Sequence, residues 1–133
     1  MSTVLFHRLG ADIIYGPGAS RRYGTTLGVN LSPPDRKACR YSCVYCQLGH
    51  SRGLPAAGEY PTPAQVGAAL AEAATGAAVD ALVLCGNGEP TLHPHFPEVV
   101  DALRRVRDRV LRGRPLICLT SGSELGRPEV VEA

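Results

Sequence analysis

The chain has 133 residues, enough for one domain and too few for two ordinary ones. Hydrophobic residues at 44% and charged residues at 20% sit near globular averages, so disorder is not the starting expectation. A formal charge of +2, from 14 Lys and Arg against 12 Asp and Glu, is not the strongly basic footprint of a dedicated nucleic-acid binder, although it leaves an RNA substrate open.

Residues 1–10 show no long apolar core and no small-residue cleavage pattern, so no signal peptide is expected. No apolar run approaches the roughly 20 residues of a membrane span. The expected location is therefore cytoplasmic. There the five cysteines stay reduced, and their clustering favours metal binding or catalysis over disulfides.

Residues 1–23 read as an N-terminal extension. Arg21 and Arg22 within it are either a solvated face or a fork for a carboxylate or phosphate of cofactor or substrate. Thr25 to Leu31 can form a strand, weakened by Gly28. A helix is signalled from Pro63 to about Thr75, with Thr62 and Gln65 as a capping box, an apolar stripe of Val66, Leu70 and Ala73, and Gly76 as its stop. Ala81 to Cys85 is a short continuous apolar run, as in a strand buried on both faces of a parallel sheet. A second helix carries Val99, Leu103, Val106 and Val110 on one face, with Pro97 in its first turn and Gly113 beyond its end. Asp101 with Arg105, and Asp108 with Arg112, are spaced as ion pairs on its exposed side. Leu116 to Leu119 repeats the strand pattern, and a last helix starts near Pro128.

Strand, loop, helix, strand, helix, strand predicts an α/β fold with parallel strands, residues 24–133 supplying three β/α units of one incomplete domain. Three parallel strands alone leave open edges, so the chain reads as a fragment or a truncated member of a longer fold.

Cys39, Cys43 and Cys46 stand in one short loop with gaps of three and two residues. Thiolates so close can converge on one metal centre, and three protein ligands leave a fourth position open, as catalytic sites require. A zinc site using these thiolates with His50 is the alternative, although structural zinc commonly uses two paired halves and only one is present. Cys85 and Cys118 lie in apolar strands and read as small core residues. His93 and His95 read as structural groups at a helix start, with a proton-shuttle role as the alternative. The arginines from Arg104 to Arg112 alternate with acids and read as a solvated helix surface.

At the three cysteines the sequence resembles the radical S-adenosylmethionine (radical SAM) superfamily, whose signature is C-x3-C-x-aromatic-C, here Cys39, Cys43, Tyr45 and Cys46. Two more segments resemble the family. Gly86-Asn87-Gly88-Glu89-Pro90 looks like its Gly-Gly-Glu motif, with Asn87 as a departure, and Thr120-Ser121-Gly122-Ser123 follows the third strand, where members place polar residues near the ribose. Tyr15 to Asn30, Gln47-Leu48-Gly49 and Gly88 to His93 look like a little-characterised branch related to the wyosine-type tRNA-modifying enzymes.

The resemblance implies the N-terminal half of a partial (β/α)6 TIM-like barrel. It implies a [4Fe–4S] cluster held by Cys39, Cys43 and Cys46, and S-adenosylmethionine on the fourth iron. Tyr45 would sit beside the adenine. Gly86, Asn87, Gly88 and Glu89 would meet the methionine end, with Glu89 accepting from its ammonium, and Ser121 would lie near the ribose. The implied activity is reductive cleavage of S-adenosylmethionine to a 5′-deoxyadenosyl radical that abstracts hydrogen from an unknown substrate. An electron donor such as flavodoxin or ferredoxin is implied, and no residue is singled out as catalytic. The competing readings are an inactive or split fragment that binds the cluster and pairs with another chain completing the barrel, and a zinc-stabilised binding module.

Overall fold

The computed structural model describes Gly10 and residues 12–133. Four strands, β1 (Ile14–Ser20), β2 (Gly24–Val29), β3 (Ala81–Leu84) and β4 (Leu116–Cys118), lie side by side in chain order. The strands β2, β3 and β4 are parallel, with Leu27 opposite Leu82 and Leu82 opposite Leu116. The expected α/β fold is present, but its sheet is not wholly parallel, because β1 runs antiparallel to β2.

β1 falls in the stretch expected to be an extension. Its Gly16-Pro17-Gly18 centre argues against a strand, since proline cannot donate to a ladder. The structure resolves the conflict by position. β1 is an edge strand, and its register shifts between Tyr15 and Gly18, so Pro17 sits in an irregularity where no ladder bond is required.

Two helices cover one face of the sheet. α1 (Pro63–Ala74) begins at the expected capping box. The Gln65 N–H donates to Thr62 Oγ1 at 3.1 Å, and the Thr62 N–H donates to Gln65 Oε1 at 2.8 Å. Its buried residues are Val66, Leu70 and Ala74, one position beyond the expected Ala73. α2 (Phe96–Val110) buries Phe96, Val99, Val100, Leu103 and Val106, while Val110 is exposed. Asp101 and Arg105 pair at 2.9 Å as their spacing implies. Asp108 instead pairs with its neighbour Arg107, and Arg112 reaches the Asp108 carbonyl at 3.1 Å.

Leu27, Val29, Leu82 and Leu84 face these helices and close a single core with Val66, Leu70, Val99 and Leu103. Alternation along each strand sends Gly28 and Val83 to the opposite face. There the Tyr15 ring lies across Gly28, where any β-carbon would overlap it, and the Tyr15 hydroxyl donates to the Cys85 carbonyl at 2.8 Å. A short helix α3 (Pro128–Glu132) follows β4, and Leu119, Leu125 and Val131 beyond that strand are exposed. Among the described residues no helix is long and apolar enough to cross a membrane.

The parallel strands all end on one rim, and the cysteine loop, Gly86–Pro90 and Thr120–Ser123 are the segments that leave it. This is the end of a parallel sheet where ligands bind. Arg21 and Arg22 occupy the β1–β2 turn at the opposite end of the sheet, so the solvated reading of this pair fits and the cofactor-pairing reading does not.

Candidate metal centre and cofactor rim

The cysteine loop is held by its backbone. The Cys46 N–H donates to the Cys43 carbonyl at 3.0 Å, and the Gly49 N–H donates to the Cys46 carbonyl at 3.1 Å. The Tyr41 N–H points at Cys39 Sγ, 3.4 Å away. All three thiols are free and partly exposed. Tyr45 is 84% exposed, and its phenol is raised in pKa chiefly by a hydrogen bond with the Cys43 thiol.

Among the described residues no three His, Cys, Asp or Glu side chains are gathered around one ion position. A zinc ion at about 2.3 Å from each sulfur would draw three thiolates to within about 4 Å of one another. A cluster places each thiolate on its own iron, so its ligands stand further apart on the loop. Three thiols on one braced loop are the donor type and number that leave one iron of a cluster open to a further ligand.

The second segment is laced to this loop. Asn87 O accepts from the Ala38 N–H at 2.9 Å, and the Glu89 N–H donates to the Ala38 carbonyl at 2.8 Å, an isolated parallel bridge beside Cys39. Gly88 is required there, because a β-carbon would overlap the Ala38 carbonyl. Asn87 does not present its side chain to the rim. It is 3% exposed, donates to the Gly10 and Pro33 carbonyls at 2.8 and 3.0 Å, and accepts from the Gly10 N–H at 2.8 Å. The Asn87 N–H and the Ser32 N–H both donate to Asn30 Oδ1 at 3.1 Å. Gly86 lies close to that Asn30 side chain.

Glu89 joins the second segment to the third. Its carboxylate is 4% exposed and accepts from five donors. Thr91 N–H and Oγ1–H reach Oε1 at 3.3 and 2.6 Å together with the Thr120 hydroxyl, and Ser121 N–H and Oγ–H reach Oε2 at 2.7 and 2.8 Å. Burial alone would raise its pKa, but the hydrogen bonds from Thr120, Thr91 and Ser121 outweigh it and hold the carboxyl below its ordinary range. The group expected to receive a ligand ammonium thus also anchors the chain, and Ser121 turns toward Glu89.

A fourth tie was invisible in the sequence. Arg40, inside the cysteine loop, grips Glu124 with two bonds of 3.0 and 3.2 Å across 84 residues. Glu124 is 5% exposed, and the Arg40 hydrogen bond holds its carboxyl below the usual range.

A cavity of about 460 Å³ opens between the third cysteine and the ends of β2 and β3, lined by Tyr15, Asn30, Cys46, Gln47, Leu48 and Cys85 among others. Cys85 therefore lines a cavity and does not fill the core. Cys118 does pack against the core, and burial pushes its thiol up to about 11. His93 is structural, as the sequence favours. Its Nδ1 accepts from the His95 N–H at 3.0 Å at the start of α2, which leaves Nε2 as the donor to the Pro61 carbonyl at 2.6 Å.

The family model described as the Radical SAM superfamily matches residues 36–133, which contain the cysteine loop and both later segments. The chain belongs to the radical SAM superfamily. Among curated relatives, a UPF0026 protein of Helicobacter pylori (strain ATCC 700392 / 26695) is 35% identical over 123 residues, covering 91% of this chain and 38% of the relative. A UPF0026 protein of Synechocystis sp. (strain ATCC 27184 / PCC 6803 / Kazusa) is 33% identical over 120 residues, covering 90% and 43%. A protein of Brachyspira hyodysenteriae (strain ATCC 49526 / WA1) named GTPase Obg is 29% identical over 125 residues, covering 92% of this chain but 17% of that protein. This radical SAM chain spans less than half the length of these relatives. No solved structure matches it.

Proposed function

We propose that this radical SAM chain holds a [4Fe–4S] cluster through Cys39, Cys43 and Cys46 and binds S-adenosylmethionine across the rim formed by Gly86–Glu89 and Thr120–Ser123. When bound, the pair supplies reductive cleavage of S-adenosylmethionine and, with it, hydrogen abstraction from a substrate. The observation that carries this reading is the lacing of the rim. The cysteine loop is bridged to Gly88, Glu89 is bonded to Thr120 and Ser121, and Arg40 is paired with Glu124.

The residues of this chain have distinct tasks in that reading. The three cysteines are the iron ligands. Tyr45, exposed beside Cys43, is the flat surface for the adenine. The main chain from Gly86 to Gly88 meets the methionine end, its glycines allowing close approach. Glu89 and Ser121 position the rim. The sheet is the first half of a partial (β/α)6 barrel, with further strands adding at the β4 edge, where Leu119, Leu125 and Val131 are exposed. The same exposed edge suits a partner chain, if the chain acts as one part of a split barrel. A soluble one-electron donor such as flavodoxin or ferredoxin supplies the reductant, and RNA stays open as a substrate class.

The test is anaerobic reconstitution with iron and sulfide counted per chain. About four irons with matching sulfide are expected. Cys43→Ser should lose that complement and Cys118→Ser should keep it. Zinc near one per chain without sulfide, or a full iron complement in Cys43→Ser, would overturn the assignment.

A further inference from the structure

Lys37 is the only lysine of the chain. It is also buried, at 8% exposure, and its ammonium donates to the Gly49 carbonyl at 2.6 Å. Lys37 stands two residues before Cys39 and Gly49 three residues after Cys46, so this bond closes the loop that holds all three thiols. The Gly49 N–H continues the brace to the Cys46 carbonyl at 3.1 Å.

The charge of Lys37 has no partner of its own. From Arg36 to Gly58 the chain carries Arg36, Lys37, Arg40 and Arg52 and no carboxylate. Arg36 is paired with Glu59 at 3.3 Å and Arg40 with Glu124 at 3.0 Å, whereas among the described residues no carboxylate pairs with Lys37. A lysine this buried is ordinarily paired. The adjoining cavity of about 440 Å³ is lined by Asp35, Arg36, Lys37, Gly49, His50 and Arg52 among others, and Asp35 is its one carboxylate. The three cysteines of the loop that Lys37 closes would supply negative charge as thiolates on a bound cluster. The backbone between Lys37 and Cys39 spans at most about 7 Å, so the lysine and the first ligand start from neighbouring positions on one loop.

We infer that Lys37 is a positioning residue for the cluster: it closes the cysteine loop through Gly49 and places a fixed positive charge against the centre, favouring its reduced form. This rests on the cluster reading above.

The experiment compares wild type, Lys37→Met and Lys37→Arg. Each chain is reconstituted anaerobically, iron and sulfide are counted, and the midpoint potential is followed by electron paramagnetic resonance. Hydrogen exchange at the Gly49 amide is measured on the apo-chains. A unit charge at such a range biases one-electron reduction roughly tenfold, so Lys37→Met should sit about 59 mV lower. Its Gly49 amide should exchange faster, and Lys37→Arg, which keeps the charge, should restore the potential. An unchanged potential in Lys37→Met, or one lowered equally in Lys37→Arg, overturns the inference while the cluster reading stands. If Lys37→Met holds no cluster, unchanged Gly49 protection in its apo-chain overturns the brace. A wild-type potential that moves with added inorganic phosphate, with Lys37→Met insensitive to it, gives the charge to an exogenous anion and also overturns the inference. Wild type that takes up no iron removes the cluster reading itself.

Discussion

Replacing Glu89 by glutamine tests whether the rim is held by a carboxylate or merely by a side chain of that shape. Both carboxylate oxygens meet a backbone N–H, Thr91 at 3.3 Å on Oε1 and Ser121 at 2.7 Å on Oε2. A glutamine amide has one acceptor and one donor end, so whichever way it flips, an NH2 group faces a backbone N–H. Hydroxyls can rotate away from that conflict, but a backbone amide cannot. An unpaired buried donor costs about 1–3 kcal/mol, and weakening of the remaining charge-assisted bonds brings the loss to about 2–4 kcal/mol. Urea unfolding of the apo-chain at neutral pH reads it, as a lower midpoint at unchanged slope.

The acid limb gives a second reading of the same substitution. The carboxyl is held below its ordinary 4.5, so its stabilisation is complete above that pH and is lost as pH falls through the folded value. The gap between wild type and Glu89→Gln should therefore close in acid. A variant within about 0.5 kcal/mol of wild type at neutral pH, or a gap that persists unchanged into acid, would refute the reasoning.

Three further outcomes are expected. Gly88→Ala should break the Ala38 bridge, because its new methyl would overlap the Ala38 carbonyl; a loss of more than about 2 kcal/mol together with poor iron uptake would mark the bridge as the support of the cysteine loop. His93 is held below its ordinary 6.5 chiefly by burial, so the unfolded chain takes up this proton first. Stability should be full above about pH 6.5 and fall as pH drops below it, and His93→Gln should flatten that slope in paired urea titrations. A double-mutant cycle between Arg40→Met and Glu89→Gln should show a coupling of about 0.5–3 kcal/mol, as for residues of one network, and simple additivity would show that the two ties act independently.

What could be read from the sequence was local. The Thr62–Gln65 capping box, the apolar run from Ala81 to Cys85 and the cysteine spacing each lie within a few residues, so pattern alone locates them. The ties of the rim are not local. Arg40 meets Glu124 across 84 residues, and Asn87 meets Asn30 across 57, with no spacing rule to link either pair. β1 was hidden for the opposite reason, a strong local signal that tertiary position overrides. Glycine and proline at 16–18 disfavour a strand, yet an edge with a register shift accepts them. Glu89 stood out as a residue but its protein partners did not, because Thr120 and Ser121 lie more than thirty residues further along the chain.

That last point alters how the rim works. Were Glu89 without donors from the chain, its turn and the Thr120–Ser123 segment would not be tied to each other. In the structure the chain's own groups join the loops, and the joints form a closed circuit. The circuit runs from the cysteine loop to Gly88 through Ala38, from Glu89 to Thr120 and Ser121, and from Glu124 back to Arg40 in the cysteine loop. A closed circuit of short bonds fixes relative positions better than a chain of the same bonds, because releasing one joint leaves the ends still tied through the others. The entropy of ordering the rim is then met during folding and not on binding, which is the physical content of preorganisation. The groups left facing outward are the cysteine thiols, the Tyr45 ring and the glycine backbone, and these are the ones with chemistry to offer a cluster and its cofactor.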